Sequence, residues 1–328
     1  MSEGESAFVG NKAQRRVTIL LSVFNGQAFL PQMLFSLAEQ KGVEWQLLWH
    51  DDGSSDQSVQ LLKDFASRYP GRVSSGQSSG QKLGIARAYM ALLREASVYS
   101  PFMAFADQDD VWLPFKLYKA VQALTSITHE KCALYCSRQI LVDTSLNYLG
   151  LSPEIKKYAP FPFALTHNMA TGCTVVFNQS TAKLLAFLPN PPEETFHDWW
   201  VFLCVNAVGG IVFADEGADI LYRQHARNVV GTTPSFLKRA SRAFKRGPQK
   251  FIKTLKANVE ALLQAEDLLP APTLSCLYDL QAVLASGRLV RYIGFLRAHF
   301  STFRRQNIVE TLVLYLWFIA NAFSRQKL

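Results

Sequence analysis

The chain has 328 residues, of which 49% are apolar and 18% charged, and a formal net charge of +8. That length allows one large or two smaller domains with a buried core, and the apolar content excludes a disordered or low-complexity protein. The charge is uneven: residues 231–328 hold 15 Lys/Arg against 5 Asp/Glu, so the basic excess belongs to the last third, and two parts with different partners are expected.

Residues 1–14 are polar and lack the apolar core of a secretory leader, and a flexible N-terminus is expected there. Residues 17–24 (VTILLSVF) form an apolar run of strand length that ends at the turn pair Asn25-Gly26. A helical pattern starting near Pro31 follows, with Leu30, Met33, Leu34 and Leu37 on one side. Residues 45–50 read as a second strand, closed by Asp51-Asp52-Gly53-Ser54, with Ser55 or Asp56 placed to cap the next helix. Residues 84–97 give a third helical pattern and 102–106 a short buried strand, which ends at Asp107-Gln108-Asp109-Asp110. Strands that are apolar throughout, alternating with helices, predict an α/β fold with a mostly parallel sheet and helices on both faces. In such sheets ligands bind beyond the carboxyl ends of the strands. The polar clusters at 22–26, 51–54 and 107–110 all fall there.

Farther on, 134–142 and 171–178 look like strands, 197–208 like a helix opened by His197-Asp198-Trp199-Trp200, and 211–213 and 220–224 like two short strands. Beyond Gly231 the pattern is nearly all helical. The domain expectation is a catalytic unit over 15–232 and a basic helical region over 233–328. The five cysteines, Cys132, Cys136, Cys173, Cys204 and Cys276, include no CxxC pair, which argues against a zinc site or disulfide framework and fits a reducing compartment.

Asp107, Asp109 and Asp110 suit a hard divalent cation such as Mg²⁺ or Mn²⁺, which takes carboxylates together with substrate phosphates; a solvated acidic turn is the plainer alternative. Asp51 and Asp52 can accept hydrogen bonds from a nucleoside or merely cap a helix. An Asp198 partly desolvated beside Trp199 and Trp200 suits a general base, or simply a helix N-terminus. Arg223 offers a fork for a diphosphate, and His225 an imidazole for a metal. Gly76-Gln77-Ser78-Ser79-Gly80 matches the GxSxG pattern of serine hydrolases, but that chemistry needs a strand running straight into a helix at the serine, and Gly80 and Gly84 delay the helix. Patterns for dinucleotide binding, for a P-loop and for HExxH are absent from the sequence.

Taken together, VTILLSVFNGQAFLPQMLFSL, LLWHDDGSSDQSVQLL, AFADQDDVW, HDWW and YRQHARNVVG resemble, in order and spacing, a family 2 glycosyltransferase of the GT-A fold. The resemblance covers about residues 15–232, and its form is similar to the rhamnosyltransferase-like branch that builds cell-surface, O-antigen-like polysaccharide. It implies a nucleotide-diphosphate sugar donor, with dTDP-rhamnose favoured over another hexose or deoxyhexose, and transfer with inversion. It implies that Ser22, Phe24 and Asn25 line the nucleotide pocket and that Asp51 or Asp52 reads the base. Asp107 and Asp109 would hold Mg²⁺ or Mn²⁺, Asp109 the more directly, with Arg223 and His225 at the diphosphate or metal. Asp198 would be the catalytic base, with His197 where the wider family has Glu. Gly172, Cys173, His197 and Trp199 would lie near the sugar and acceptor, while Lys82 and Arg87 carry no assigned role. The implied acceptor is a saccharide, free or linked to a polyprenyl diphosphate, handled on the cytoplasmic side with the protein peripheral on the inner face of the cell membrane. The alternatives from other classes are a hydrolase using Ser78 and a non-catalytic sugar-nucleotide or membrane-binding module.

Eight Lys/Arg and no acid fall between Pro234 and Asn258. Leu289, Tyr292, Ile293, Leu296, Phe300 and Phe303 share one face of a helix with arginines off that stripe, which predicts attraction to an anionic membrane surface or a helical subdomain docked on the catalytic part. Nucleic acid is disfavoured because no recognition motif accompanies the charge. Residues 308–323 are apolar, but at about 1.5 Å per residue they reach roughly 24 Å, short of a hydrocarbon core of about 30 Å.

Overall fold

The computed structural model describes residues 15–128, 130–155, 160–225 and 236–324, with 236–246 and 324 described by backbone alone. The expected flexible N-terminus and the expected boundary at 232/233 lie outside the described residues. Strand β1 (Arg16–Val23), helix α1 (Leu30–Ala38), β2 (Glu44–Asp51), α2 (Ser58–Arg68), β3 (Val73–Ser75), α3 (Ile85–Ala96) and β4 (Phe102–Ala106) follow the alternation expected from the sequence. The parallel part of the sheet runs β3-β2-β1-β4, and Val17, Ile19, Leu20 and Leu21 of β1 are fully buried because both faces of this central strand are covered.

After the two-residue β5 (Val111–Trp112) and α4 (Lys116–Thr125) the sheet turns mixed. It adds β6 (Ala133–Val142), its hairpin partner β7 (Tyr148–Leu151), the short helix α5 (Phe163–Thr166), β8 (Val176–Asn178), α6 (Gln179–Phe187), α7 (His197–Ala207) and β9 (Ile211–Arg223). The full order is β3-β2-β1-β4-β8-β6-β9-β5, with β8 antiparallel to both β4 and β6. Two details differ from expectation. Of 171–178 only Val176–Asn178 pairs as a strand, because Gly172–Thr174 coils into a 3₁₀ turn. The two short strands expected at 211–213 and 220–224 are one continuous β9, carried past Asp215 and Gly217 by register shifts against β6.

Helices α1, α2 and α4 cover one sheet face, and α3, α6 and α7 the other. The described C-terminal residues are helical: α8 (Phe236–Leu263), α9 (Ala271–Ser286), α10 (Leu289–Ala298) and α11 (Ile308–Ser324). Gly247 (φ 73) and Pro248 break α8 into two rods, since a positive φ and a missing N–H both stop helix propagation. These helices extend the core under α7: Phe251, Leu255, Leu277, Tyr292 and Phe318 join Trp200 and Leu203 in one apolar cluster. Polar ties hold the same junction, with Thr273 donating to the Ala207 carbonyl at 2.8 Å and Thr195 to Asn258 at 2.7 Å.

The apolar stripe expected along 289–303 is therefore used differently. Helix α10 stops at Ala298, and the chain folds back so that Phe303 packs on Phe295 and Phe318. Tyr292, Leu296 and Phe303 face inward, whereas Ile293 and Phe300 remain exposed.

Because α9 and α7 share a core, the fully buried Leu277 is expected to lower the stability of the whole chain by about 2–5 kcal/mol when replaced by Ala. Denaturant unfolding followed by tryptophan fluorescence and by far-UV circular dichroism should give coincident transitions; a separate, earlier loss of helix would show that α8–α11 fold apart from the sheet.

Candidate active site

The carboxyl ends of β1, β2 and β4 meet at one edge of the sheet, where Val23 pairs with Asp51 and Leu21 with Ala106. Each strand hands over to a polar loop, and the loops are laced together. Phe24 donates its N–H to Gln108 Oε1 at 2.9 Å, and Gln108 Nε2 donates back to the Phe24 carbonyl at 3.1 Å. Gly26 is required under this clasp, since a Cβ there would lie 2.5 Å from Gln108 Oε1. Asn25, at φ 49, donates its N–H to Ser54 Oγ and accepts from the Ser55 N–H, both at 2.9 Å. Asp56 accepts from the Ser58 and Gln27 N–H groups, so it serves the start of α2 from one residue before the Gln57 cap. Ser22 is half-buried at the end of β1, and Phe24 projects into solvent at 50% exposure.

Asp51 and Asp52 part ways. Asp51 is buried; its Oδ2 accepts from the Gly53 and Ser54 N–H groups, while its Oδ1 is buried without a partner among the described residues. Asp52 Oδ1 accepts from Leu83 N–H at 2.6 Å and Gly84 N–H at 3.0 Å, which fastens the loop after β3. Lys82 and Arg87 are exposed on this loop and the start of α3. Ser78 Oγ lies 3.3 Å from His50 Nδ1, and His50 Nε2 lies 3.4 Å from Asp52 Oδ1. This line of three resembles a hydrolase relay, but residues 76–84 separate β3 from α3 and supply no strand-to-helix turn at the serine. Asp52 is moreover committed to two backbone donors.

The acidic loop after β4 is the electrostatic centre. Tyr89, buried in α3, donates from its hydroxyl to the Ala106 carbonyl at 2.6 Å and approaches Asp107 Oδ1 at 3.1 Å. Desolvation first, and then the charge of Asp109, raises the Asp107 pKa to about 7, with a smaller contribution from Asp198. Asp110 is buried at 1% exposure, and burial followed by the charges of Asp109 and Asp107 pushes its pKa well up. Donor atoms of Asp107, Asp110 and Cys173 lie within 4.8 Å of one another, and Asp110 Oδ2 has no hydrogen-bond partner among the described residues. The Cys173 thiol is held protonated by burial and by its acidic neighbours, so it is no ligand for a hard cation, whereas the carboxylate oxygens fit one. Asp109 instead pairs with His225, Oδ2 to Nε2 at 2.7 Å, and the imidazole stacks on Phe29 with ring centroids 5.0 Å apart.

Arg223 organises this loop rather than projecting into the cleft. It is 1% exposed; its side chain donates to the carbonyls of Asp109 and Thr144 and to Gln32 Oε1, its backbone N–H donates to Asp110 Oδ1, and its guanidinium sits 4.5 Å above the Phe29 ring. Lys116 is a second buried cation, its Nζ 3.6 Å from the Trp112 ring centroid. Burial lowers its pKa to about 8 while Asp110, Asp219 and Asp107 hold the charge.

The other wall is the start of α7. Asp198 Oδ2 accepts from the Gly172 N–H at 3.0 Å and Oδ1 from the Trp199 N–H at 2.6 Å. Desolvation outweighs these bonds and raises its pKa to about 6. His197 is 5% exposed and stacks on Tyr89 at 3.8 Å, with both ring nitrogens lacking partners among the described residues; burial lowers its pKa to about 3 and keeps it neutral. A Cβ on Gly172 would sit 3.0 Å from His197 Nε2, so a larger residue there would press on the imidazole. Trp199 donates from its indole to the Ala164 carbonyl at 2.7 Å.

The structure thus gathers Ser22, Phe24, Asn25, Asp51, Asp107, Asp109, Cys173, His225 and Asp198 around the sheet edge, with Asp52 and Arg223 acting through the loops they hold. Tyr89, Phe29 and Lys116 did not emerge from the sequence. Tyr89 sits inside an ordinary apolar helical pattern and Phe29 just ahead of another, and the one available signal for Lys116 was a cation on the core-facing side of α4.

Comparison with known proteins agrees with this architecture. Residues 18–184 match the model of glycosyl transferase family 2. The chain is 25% identical over 229 residues to the dTDP-rhamnosyl transferase RfbG of Shigella flexneri, covering 66% of this chain and 75% of that protein. It is 26% identical over 196 residues to the UDP-Glc:alpha-D-GlcNAc-diphosphoundecaprenol beta-1,3-glucosyltransferase WfgD of Escherichia coli, covering 60% of this chain and 72% of that one. Its fold is similar to that of S. aureus TarS 1–349, crystallised with UDP, at a TM-score of 0.53 and 16% identity, over 76% of this chain and 65% of that chain. With more than half of its length matched by the family model, the chain belongs to glycosyl transferase family 2 and is a glycosyltransferase enzyme.

Proposed function

We propose that the enzyme moves a sugar from a nucleotide-diphosphate donor to an acceptor hydroxyl with inversion, using Asp198 as general base. The observation that carries this reading is that Asp198 and the 107–110 carboxylates, nearly a hundred residues apart in sequence, are held by adjoining groups: Tyr89 touches Asp107 and stacks on His197, while Gly172 bonds Asp198 and its neighbour Cys173 lies against Asp107 and Asp110. A donor nucleotide fits against Ser22, Phe24 and Asn25, with the unpartnered Oδ1 of Asp51 available to the base or ribose. Asp107 and Asp109 would hold Mg²⁺ or Mn²⁺, with the free oxygen of Asp110 and the imidazole of His225 beside them. Such a cation stabilises the negative charge that grows on a departing diphosphate. Asp198, ionised above about pH 6, takes the proton of the attacking hydroxyl. The neighbouring His197 is neutral, so it adds no charge to compete with that base.

For the substrates, the HDWW and YRQH motifs and the likeness to RfbG favour dTDP-rhamnose as donor, and the likeness to WfgD favours a saccharide on a polyprenyl diphosphate as acceptor. That acceptor would place the enzyme at the cytoplasmic face of the cell membrane, in surface-polysaccharide assembly.

Replacing Asp198 by Asn should cut kcat by about 10²–10⁴-fold while nucleotide-sugar binding, followed by thermal shift with Mn²⁺ present, stays near wild type. Near-normal turnover would remove Asp198 from the reaction. Because the raised pKa belongs to a base, kcat/KM should fall as pH drops through about 6 and level off above it. A rate that stays level down to the ordinary Asp value, about 3.9, would contradict the assignment. EDTA should stop transfer and added Mg²⁺ or Mn²⁺ restore it; indifference to chelation would exclude a cation held by Asp107 and Asp109.

A further inference from the structure

An apolar helix face is normally buried against protein. One such face of α11 is not. Leu314, Phe318 and Ala322 pack inward, yet Ile308, Leu312, Leu316 and Phe323 are 76%, 56%, 67% and 50% exposed. At 3.6 residues per turn these four and the half-exposed Val309 fall within roughly 100° of arc, and Glu310, the acid of this helix, lies on another side. The uncovered arc therefore carries no charge along its length.

The neighbouring surface is basic. Helix α10, packed on α11 through Tyr292 and Phe318, turns outward Val290 and Ile293 with Arg297 between them, and Arg288 and Arg291 are exposed close by. Phe300, 68% exposed, touches Tyr315 at the near edge of α11. Among the described residues no helix is long and apolar enough to cross a membrane. The 17 residues of α11 reach only about 25 Å.

We infer that the outer face of α11, in a C-terminal region with exposed arginines on the adjoining α10, lies flat in the headgroup–acyl boundary of an anionic bilayer. An apolar strip beside arginines suits that boundary: the strip enters the acyl region and the guanidiniums reach the lipid phosphates. A second copy of the chain is the poorer occupant, because a symmetric contact through this face would set arginine against arginine in a region of 15 basic and 5 acidic residues. The face also has a short route to the catalytic wall. Thr166 of α5 donates to the Arg304 carbonyl, just before α11, at 2.6 Å, and Ala164 of the same short helix accepts from Trp199, next to Asp198. The docking does not rest on the acceptor proposed above.

Flotation of the full chain with phosphatidylcholine vesicles, with and without phosphatidylglycerol, tests the docking without any substrate. The wild type should float with the anionic vesicles, and the Leu312→Glu/Leu316→Glu variant should not. Arg291→Gln/Arg297→Gln should lose roughly fivefold in partitioning per arginine. Both variants change exposed side chains and should keep the wild-type circular-dichroism spectrum and melting temperature. Failure of the wild type to float, or undiminished flotation of the folded glutamate variant, overturns the inference. So does a wild-type dimer in light scattering that the same glutamates convert to monomer. A floating protein that is inactive on every donor would leave the docking intact and remove the transferase substrates proposed above.

Discussion

Crowding of like charge in a poorly solvated place is the constraint around which this enzyme is built. Asp107, Asp109 and Asp110 stand within four residues, and Asp198 lies next to His197, whose ring stacks on the same Tyr89 that touches Asp107. Left alone, such a group would repel itself apart or protonate. The fold holds it with fixed partners instead: the Tyr89 hydroxyl at Asp107, His225 at Asp109, the Arg223 N–H at Asp110, and the buried ammonium of Lys116 behind them. Removing any one of those partners loosens the others, because each stabilises a carboxylate that also repels its neighbours.

Much of the scaffold exists to keep this arrangement still. Arg223 comes from the end of β9, far along the chain, yet it grips the backbone of the acidic loop, the 144 turn and Gln32 of α1 at once. Asp52 fastens the loop after β3, and Asp198 is set by two backbone N–H groups at the start of α7. Residues of the right chemistry thus divide into those that face the cleft and those that spend their charge on the backbone beside it. Sequence patterns do not separate the two kinds, since an Arg that clamps carbonyls and an Arg that meets a diphosphate occupy the same place in a motif.

How much could be read beforehand follows from burial. Strands β1, β2 and β4 were legible because a strand covered on both faces must be apolar throughout. β5, of two residues, and β7, exposed along its edge, carry no such mark. The polar stretch of β9 looked like a turn because Asp215 and Gly217 interrupt it, whereas in the sheet Asp215 takes the Tyr135 hydroxyl and the strand runs on. The acidic triplet and Asp198 were legible as chemistry, but their meeting was not, since nothing local connects positions so far apart. The C-terminal stripe was legible as amphipathic. Which of its residues face protein depended on the chain turning back at His299, and that turn is set by Phe303 finding Phe295 and Phe318.

The clasp between Gln108 and Phe24 bears on how the acidic motif itself should be understood. A carboxylate at position 108 has acceptors only and would lose the bond to the Phe24 carbonyl; an aliphatic residue would lose both bonds. Position 108, between Asp107 and Asp109, is in this enzyme a primary amide that splices the loop after β1 to the loop after β4. Those two loops are consequently tied to each other by one side chain, whose two bonds would both have to break before either loop moved alone.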